Sequence, residues 1–174
     1  TIIGDQGDDL ITSEIGDDLI YANVGADTID AGGGADTVFG GRNADTIFGD
    51  SGNDVLYGNK DFDTIYGGAN EDTIYGGSEG DILLGEAGFD ALYGNLGADV
   101  MTGGDGADTF VYTDVGDEPI EITDFDPTVD TMAIQFHEND VRDTSVHPVS
   151  EDVYEIRLGD QVAAHVKSTV PFGT

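Results

Sequence analysis

Apolar side chains return along the first two thirds of this chain in a fixed frame of nine. Starting from Ile2, the frame falls on Ile11, Ile20, Ile29, Val38, Ile47, Leu56, Ile65, Ile74, Leu83, Leu92, Met101 and Phe110. A unit with one such position can build only a strand of about three residues and a turn of about six. One unit alone buries nothing. Stacked in parallel, the units put the apolar column inside and turn its neighbours outward. The pattern predicts an all-β stack of short strands.

A second register is locked to the first. Two residues before each apolar position stands an aspartate: Asp9, Asp18, Asp27, Asp36, Asp45, Asp54, Asp63, Asp72, Asp81, Asp90, Asp99 and Asp108. Each unit reads small-x-x-Gly-x-Asp-x-apolar-x, with fullest copies at Gly4 to Asp9 and Gly103 to Asp108. Ser13, Ala22 and Ala31 replace the first glycine; Asn43, Asp61, Asn70 and Glu79 replace the second. Glycine allows positive φ, which turns carbonyls toward one point. Asn and Asp tolerate that region, so the loop holding Glu79 is expected to be weak or distorted.

This nonapeptide resembles the calcium-binding repeat of RTX proteins. The resemblance implies a right-handed parallel β-roll over residues 1–112, in which a six-residue loop binds calcium, a short strand follows and two nonapeptides close one coil. It also implies a small C-terminal β cap over residues 113–174. Gly106 to Tyr112 with Ile122 to Asp126 and Asp130 is similar to the end of the roll in serralysin-type proteases and mannuronan C5-epimerase R-modules. There this region closes the roll near secretion information.

With two units per coil, aspartates eighteen apart become vertical neighbours about 4.8 Å apart. At an effective dielectric of about 20, each such pair repels by roughly 3.5 kcal/mol. A cation between them inverts the sign. Carboxylates and backbone carbonyls are hard oxygen donors that suit calcium, whose geometry is looser than that of magnesium. The chain has no cysteine and none of its histidines lies in the repeats, which excludes the usual zinc or copper ligands there. Twelve loops in two columns leave gaps for up to about ten calcium ions. Ten ions would move the formal charge from -32 to about -12, so folding is expected to be calcium-driven and cooperative along the coil. Affinities of extracellular modules, Kd ~10⁻⁴ to 10⁻³ M, suit that gate.

The chain of 174 residues carries 37 acidic and 5 basic side chains. The basic ones are scattered, which argues against nucleic acid as a partner. No apolar run reaches transmembrane length. Beyond Asp114, β-type segments run over residues 120–125, 131–136, 153–158 and 161–166. Asp124-x-Asp126-x-Thr128-x-Asp130 has Val129 and Gln135 where a calcium-binding EF-hand needs Gly and Glu, so it reads as a turn. Gly76 to Gly80 matches G-x-S-x-G, but in repeat register and without a strand-to-helix unit. His137-Glu138 lacks the second histidine of a zinc-protease motif. No credible catalytic site remains, and the chain is expected to be no enzyme itself.

Thr1-Ile2-Ile3 opens inside a strand, so the chain reads as a C-terminal piece of a longer polypeptide. Three functions stay open. It can be a secreted calcium-responsive module that passes the type I secretion machinery and supports an attached upstream domain. It can be the accessory module of an extracellular enzyme such as an alginate epimerase, binding extracellular polysaccharide. It can be a segment of an adhesin or surface-layer protein. Tyr21, Phe39, Tyr57, Tyr75 and Tyr93, in the ninth slot, are expected to stack as an outward ladder.

Overall fold

The protein is described by a computed structural model over residues 1–113, 119–135, 144–148, 153–158 and 161–169. Strands follow one another as β1 (Ile2–Ile3), β2 (Leu10–Thr12), β3 (Leu19–Val24), β4 (Thr28–Asp30), β5 (Thr37–Arg42), β6 (Thr46–Phe48), β7 (Val55–Lys60), β8 (Thr64–Ala69) and β9 (Thr73–Ser78). They continue as β10 (Ile82–Gly88), β11 (Ala91–Leu96), β12 (Val100–Gly106), β13 (Thr109–Thr113), β14 (Ile120–Phe125) and β15 (Thr131–Gln135). The last three are β16 (Thr144–Pro148), β17 (Val153–Leu158) and β18 (Gln161–Ser168).

Odd strands from β1 to β15 form one sheet, and even strands from β2 to β14 lie side by side in the other. Each pairs in parallel with the strand two later, at a register of eighteen residues through the repeats, such as Leu56 with Ile74. This is the parallel β-roll that the two registers imply. Between the sheets the column from Ile20 to Phe110 is fully buried, and Ile11 at its start is nearly so. One apolar side chain per unit is enough because each finds its equivalents above and below.

Many strands are longer than the frame suggests. β5, β7, β9 and β11 each span six residues, because pairing resumes beyond the first-slot glycine: Tyr57 faces Tyr75 and then Asn59 faces Gly77. The second slot makes this possible by turning left-handed, as at Asn23 (φ 79°), Asn59 (φ 80°) and Glu86 (φ 73°). In the fourth slot Glu79 adopts φ 80°, close to the 75° of Asp61 one coil earlier.

The sheets do not stop where the nonapeptide stops. β14 joins β12 with Met101 opposite Ile122, and β15 joins β13 with Phe110 opposite Met132. The repeat lengths thereby grow to 21 and 22 residues. Phe125 covers the last rung, its ring 6.0 Å from that of Phe110. β18 then runs parallel to β14, and β17 and β16 turn back antiparallel. β16 is a strand the sequence pattern did not announce. Phe136 and the His137-Glu138 pair lie outside the described residues.

Candidate metal centre

Each aspartate of the sixth slot is placed between the end of one turn and the start of one strand, and the roll buries it. From Asp27 to Asp108 these side chains are 1–2% exposed. One oxygen is used structurally. The backbone N–H of Asp45 donates to Oδ1 of Asp63 at 2.8 Å, and that of Asp63 to Oδ1 of Asp81 at 2.8 Å. The odd column repeats this from Asp9 to Asp99 and the even column from Asp18 to Asp108. All twelve sequence-selected aspartates are thus brought into two files, on opposite edges of the roll.

The other oxygen has no protein partner. Oδ2 of Asp9, Asp27, Asp36, Asp45, Asp54, Asp63, Asp72, Asp81 and Asp90 is buried without a hydrogen bond. A buried ionised oxygen left so costs several kcal/mol unless something positive meets it. The first-slot glycine shows where that oxygen points. A β-carbon on Gly40 would lie 2.6 Å from Asp45 Oδ2 and 3.0 Å from the carbonyl oxygen of Gly58, one coil on. That glycine is required by space and not by a positive φ, which belongs to slots two and four.

The gap between Gly85–Asp90 and Gly103–Asp108 shows the donor set most fully. Asp90 Oδ2 and the Gly103 carbonyl oxygen each stand 2.6 Å from the β-carbon that Gly85 lacks. β-carbons on Gly104 and Gly106 would strike the carbonyl oxygens of Glu86 and Gly88. Carboxylate and main-chain oxygens therefore enter one gap from both coils. Among the described residues no three acidic or histidine side chains converge; two aspartates per gap, supplemented by carbonyls, make a set that fits calcium. Bound there, calcium supplies charge compensation for the paired carboxylates and ties one coil to the next.

Burial first, opposed by the backbone hydrogen bond and increased by neighbouring carboxylates, raises these acids without metal. Asp45, Asp63 and Asp72 rise to about 7, Asp81 to about 8, and Asp54 and Asp90 to about 6. The folded values exceed the unfolded one near 3.8, so the metal-free roll is most stable below about pH 4 and loses stability as pH rises from there until these acids have ionised, at about 6 to 8. In chelator the chain is expected to show more β-structure by circular dichroism at pH 5 than at pH 8. An unchanged spectrum between the two contradicts this.

The early loops differ chemically. Ser13 Oγ donates to Asp18 Oδ2, so the first carboxylate of the even column already has a partner. Two residues that spacing missed belong to the site's far end. Asp130 accepts from the backbone N–H of Asp108 at 3.0 Å, which makes it the next member of the even column, 22 residues on. Asp124 accepts from the N–H groups of Gly103 and Gly104 at 3.0 and 2.8 Å. In the odd column, register sets Ile120 beyond Asp99. Asp126 holds Thr128 at 2.9 Å, so the acids of the rejected EF-hand serve a turn and the column.

Ser78 of the G-x-S-x-G match lies in β9, its hydroxyl donating to the Asn59 carbonyl at 3.4 Å. His147 and His165 sit on β16 and β18. No helix of the described residues is long and apolar enough to cross a membrane.

The sequence profile of the RTX calcium-binding nonapeptide repeat, in four copies, matches residues 1–29, 12–47, 21–56, 48–83 and 75–110. No curated protein matches the chain significantly.

Proposed function

Since the chain belongs to the RTX calcium-binding nonapeptide-repeat family, we propose that it is a secreted module that folds on meeting external calcium and so supports the folding, export and stability of an attached upstream domain. One observation carries this reading: two files of buried carboxylates which, from Asp27 to Asp90, each keep an oxygen that no protein group satisfies. At low calcium those files repel and the chain stays loose, a state suited to passage through type I secretion machinery. Calcium outside closes the coils. No catalytic role is proposed, because the family is a calcium-binding structural one and the sole nucleophile-like motif is spent on a repeat turn.

A reporter domain fused ahead of Thr1 tests the role. In millimolar calcium its unfolding temperature is expected to exceed that of the reporter alone, and in EGTA the difference is expected to vanish. A reporter indifferent to calcium contradicts the proposal. A second reading, an accessory module for an extracellular polysaccharide, is favoured by the outward face of the odd sheet.

A further inference from the structure

The acids of this chain are not spread evenly. Strands β3, β5, β7, β9 and β11 turn their second and fourth residues inward and the others outward. Not one outward position on these five strands is acidic, although the chain holds 37 acids. The even sheet lacks this property: Asp30, Glu86 and Asp105 stand on its strands. The acid-free face also carries Arg42 and Lys60, the two cations of the repeat region, as register partners on β5 and β7. Both are exposed, and among the described residues neither has an acidic partner. Two like charges about one strand spacing apart repel; the Asp61 carboxylate is engaged by the Asn43 N–H in the turn beside them, and an anion lying on the strand face would relieve them further.

Beside this pair a concavity of about 500 Å³ is lined by Tyr21, Phe39, Asn23, Asn59, Arg42 and Lys60. The rings stack on one another at 4.6–4.9 Å. Their faces are therefore spent within the ladder, and the surface presents ring edges and tyrosine hydroxyls. Asn23 and Asn59 donate to the Tyr21 and Tyr57 carbonyls at 3.2 and 3.3 Å, which leaves their side-chain oxygens as acceptors. A ligand for this strip must be hydroxyl-rich, extended and anionic.

Resting on the second reading above, we infer that the outward face of the odd sheet binds an acidic polysaccharide. Carboxylate or sulfate groups meet Arg42 and Lys60, and the sugar hydroxyls meet the Asn and Tyr rail. A second copy of the chain fits less well. Five strands at about 4.8 Å by six residues at about 3.3 Å offer roughly 500 Å² a side, below the ~800 Å² per partner of a stable pair.

The test uses the full chain in calcium, with short oligogalacturonate, heparin oligosaccharide and neutral dextran oligosaccharide as probes in calorimetry. The acidic probes are expected to bind and dextran to bind at least about tenfold more weakly. Which acidic probe binds tighter separates a carboxylated from a sulfated source. R42S/K60S is expected to weaken acidic binding about tenfold or more, through two lost charge-assisted contacts, while its calcium-induced circular dichroism stays unchanged. No binding by the acidic probes, equal binding of dextran, or full affinity in R42S/K60S overturns the inference. Self-association of the chain without sugar binding overturns it in favour of the copy. Failure of the calcium transition itself would instead strike the folding role, and is read separately.

Discussion

Dialysed against EGTA at pH 8, the chain is expected to lose its β-sheet signal and expand, and calcium restored to millimolar concentration is expected to bring both back in one steep transition. The reason lies in the gaps. From Asp27 to Asp90 the protein leaves each Oδ2 buried without a hydrogen bond, and once ionised, vertical neighbours repel each other by a few kcal/mol at most per pair. At free calcium ten times Kd each site returns about 1.4 kcal/mol, so several together match the ~5 to 15 kcal/mol by which a domain is usually stable. Stacking couples neighbouring coils, hence the steepness. Magnesium at the same concentration is expected to fail, since it holds its water and demands stricter geometry. A chain equally compact and β-rich after the chelator would remove the whole interpretation.

The second large effect is expected from Asp63→Ala. Asp63 works in two gaps, because Oδ1 accepts the N–H of Asp45 on one side, while Oδ2 and the Gly76 carbonyl oxygen both crowd the space beside Gly58 on the other. Losing both ions removes about 3 kcal/mol at calcium ten times Kd, and the orphaned, buried N–H of Asp45 adds about 1–3 kcal/mol. The bound-calcium count should fall by two and the calcium midpoint should rise. Asp126→Ala is the control, since among the described residues that carboxylate bonds a local turn at Thr128. Calorimetric ion counts that are equal in the two variants would show that the sixth-slot aspartates are not ligands.

Most of this was legible from periodicity. The apolar frame names the buried column from Ile20 to Phe110 without a miss, because a stack of identical coils leaves each residue only one environment. The sixth-slot aspartates were equally plain. Slot two was not: Asp, Asn, Glu and Gly all occur there, and only the backbone reveals that it turns left-handed at Asp5 as at Glu86. The first-slot glycine was legible as a requirement but not for its cause, since the constraint is the carboxylate tucked against it. Asp130 escaped because the coil lengthens once the nonapeptide ends, and a fixed frame of nine cannot follow a repeat of 22. The ladder of Tyr21, Phe39, Tyr57, Tyr75 and Tyr93 stacks as the ninth slot implies, whereas the Phe48–Tyr66 stack at 4.8 Å on the other sheet went unremarked.

The N–H to Oδ1 contact always points the same way along the chain, from an aspartate to the one eighteen positions later. In this contact each coil is held by its successor, while ladder bonds such as Thr64 N–H to the Asp45 carbonyl and turn bonds such as Ala26 N–H to Asp8 Oδ1 hold it to its predecessor. Cut away from the amino side, the roll would leave carboxylate oxygens that water can solvate. Cut from the carboxyl side, it would leave amide protons with nothing to hold. The carboxylate file thus has a direction along the chain, and Asp130 is where its even copy is fastened.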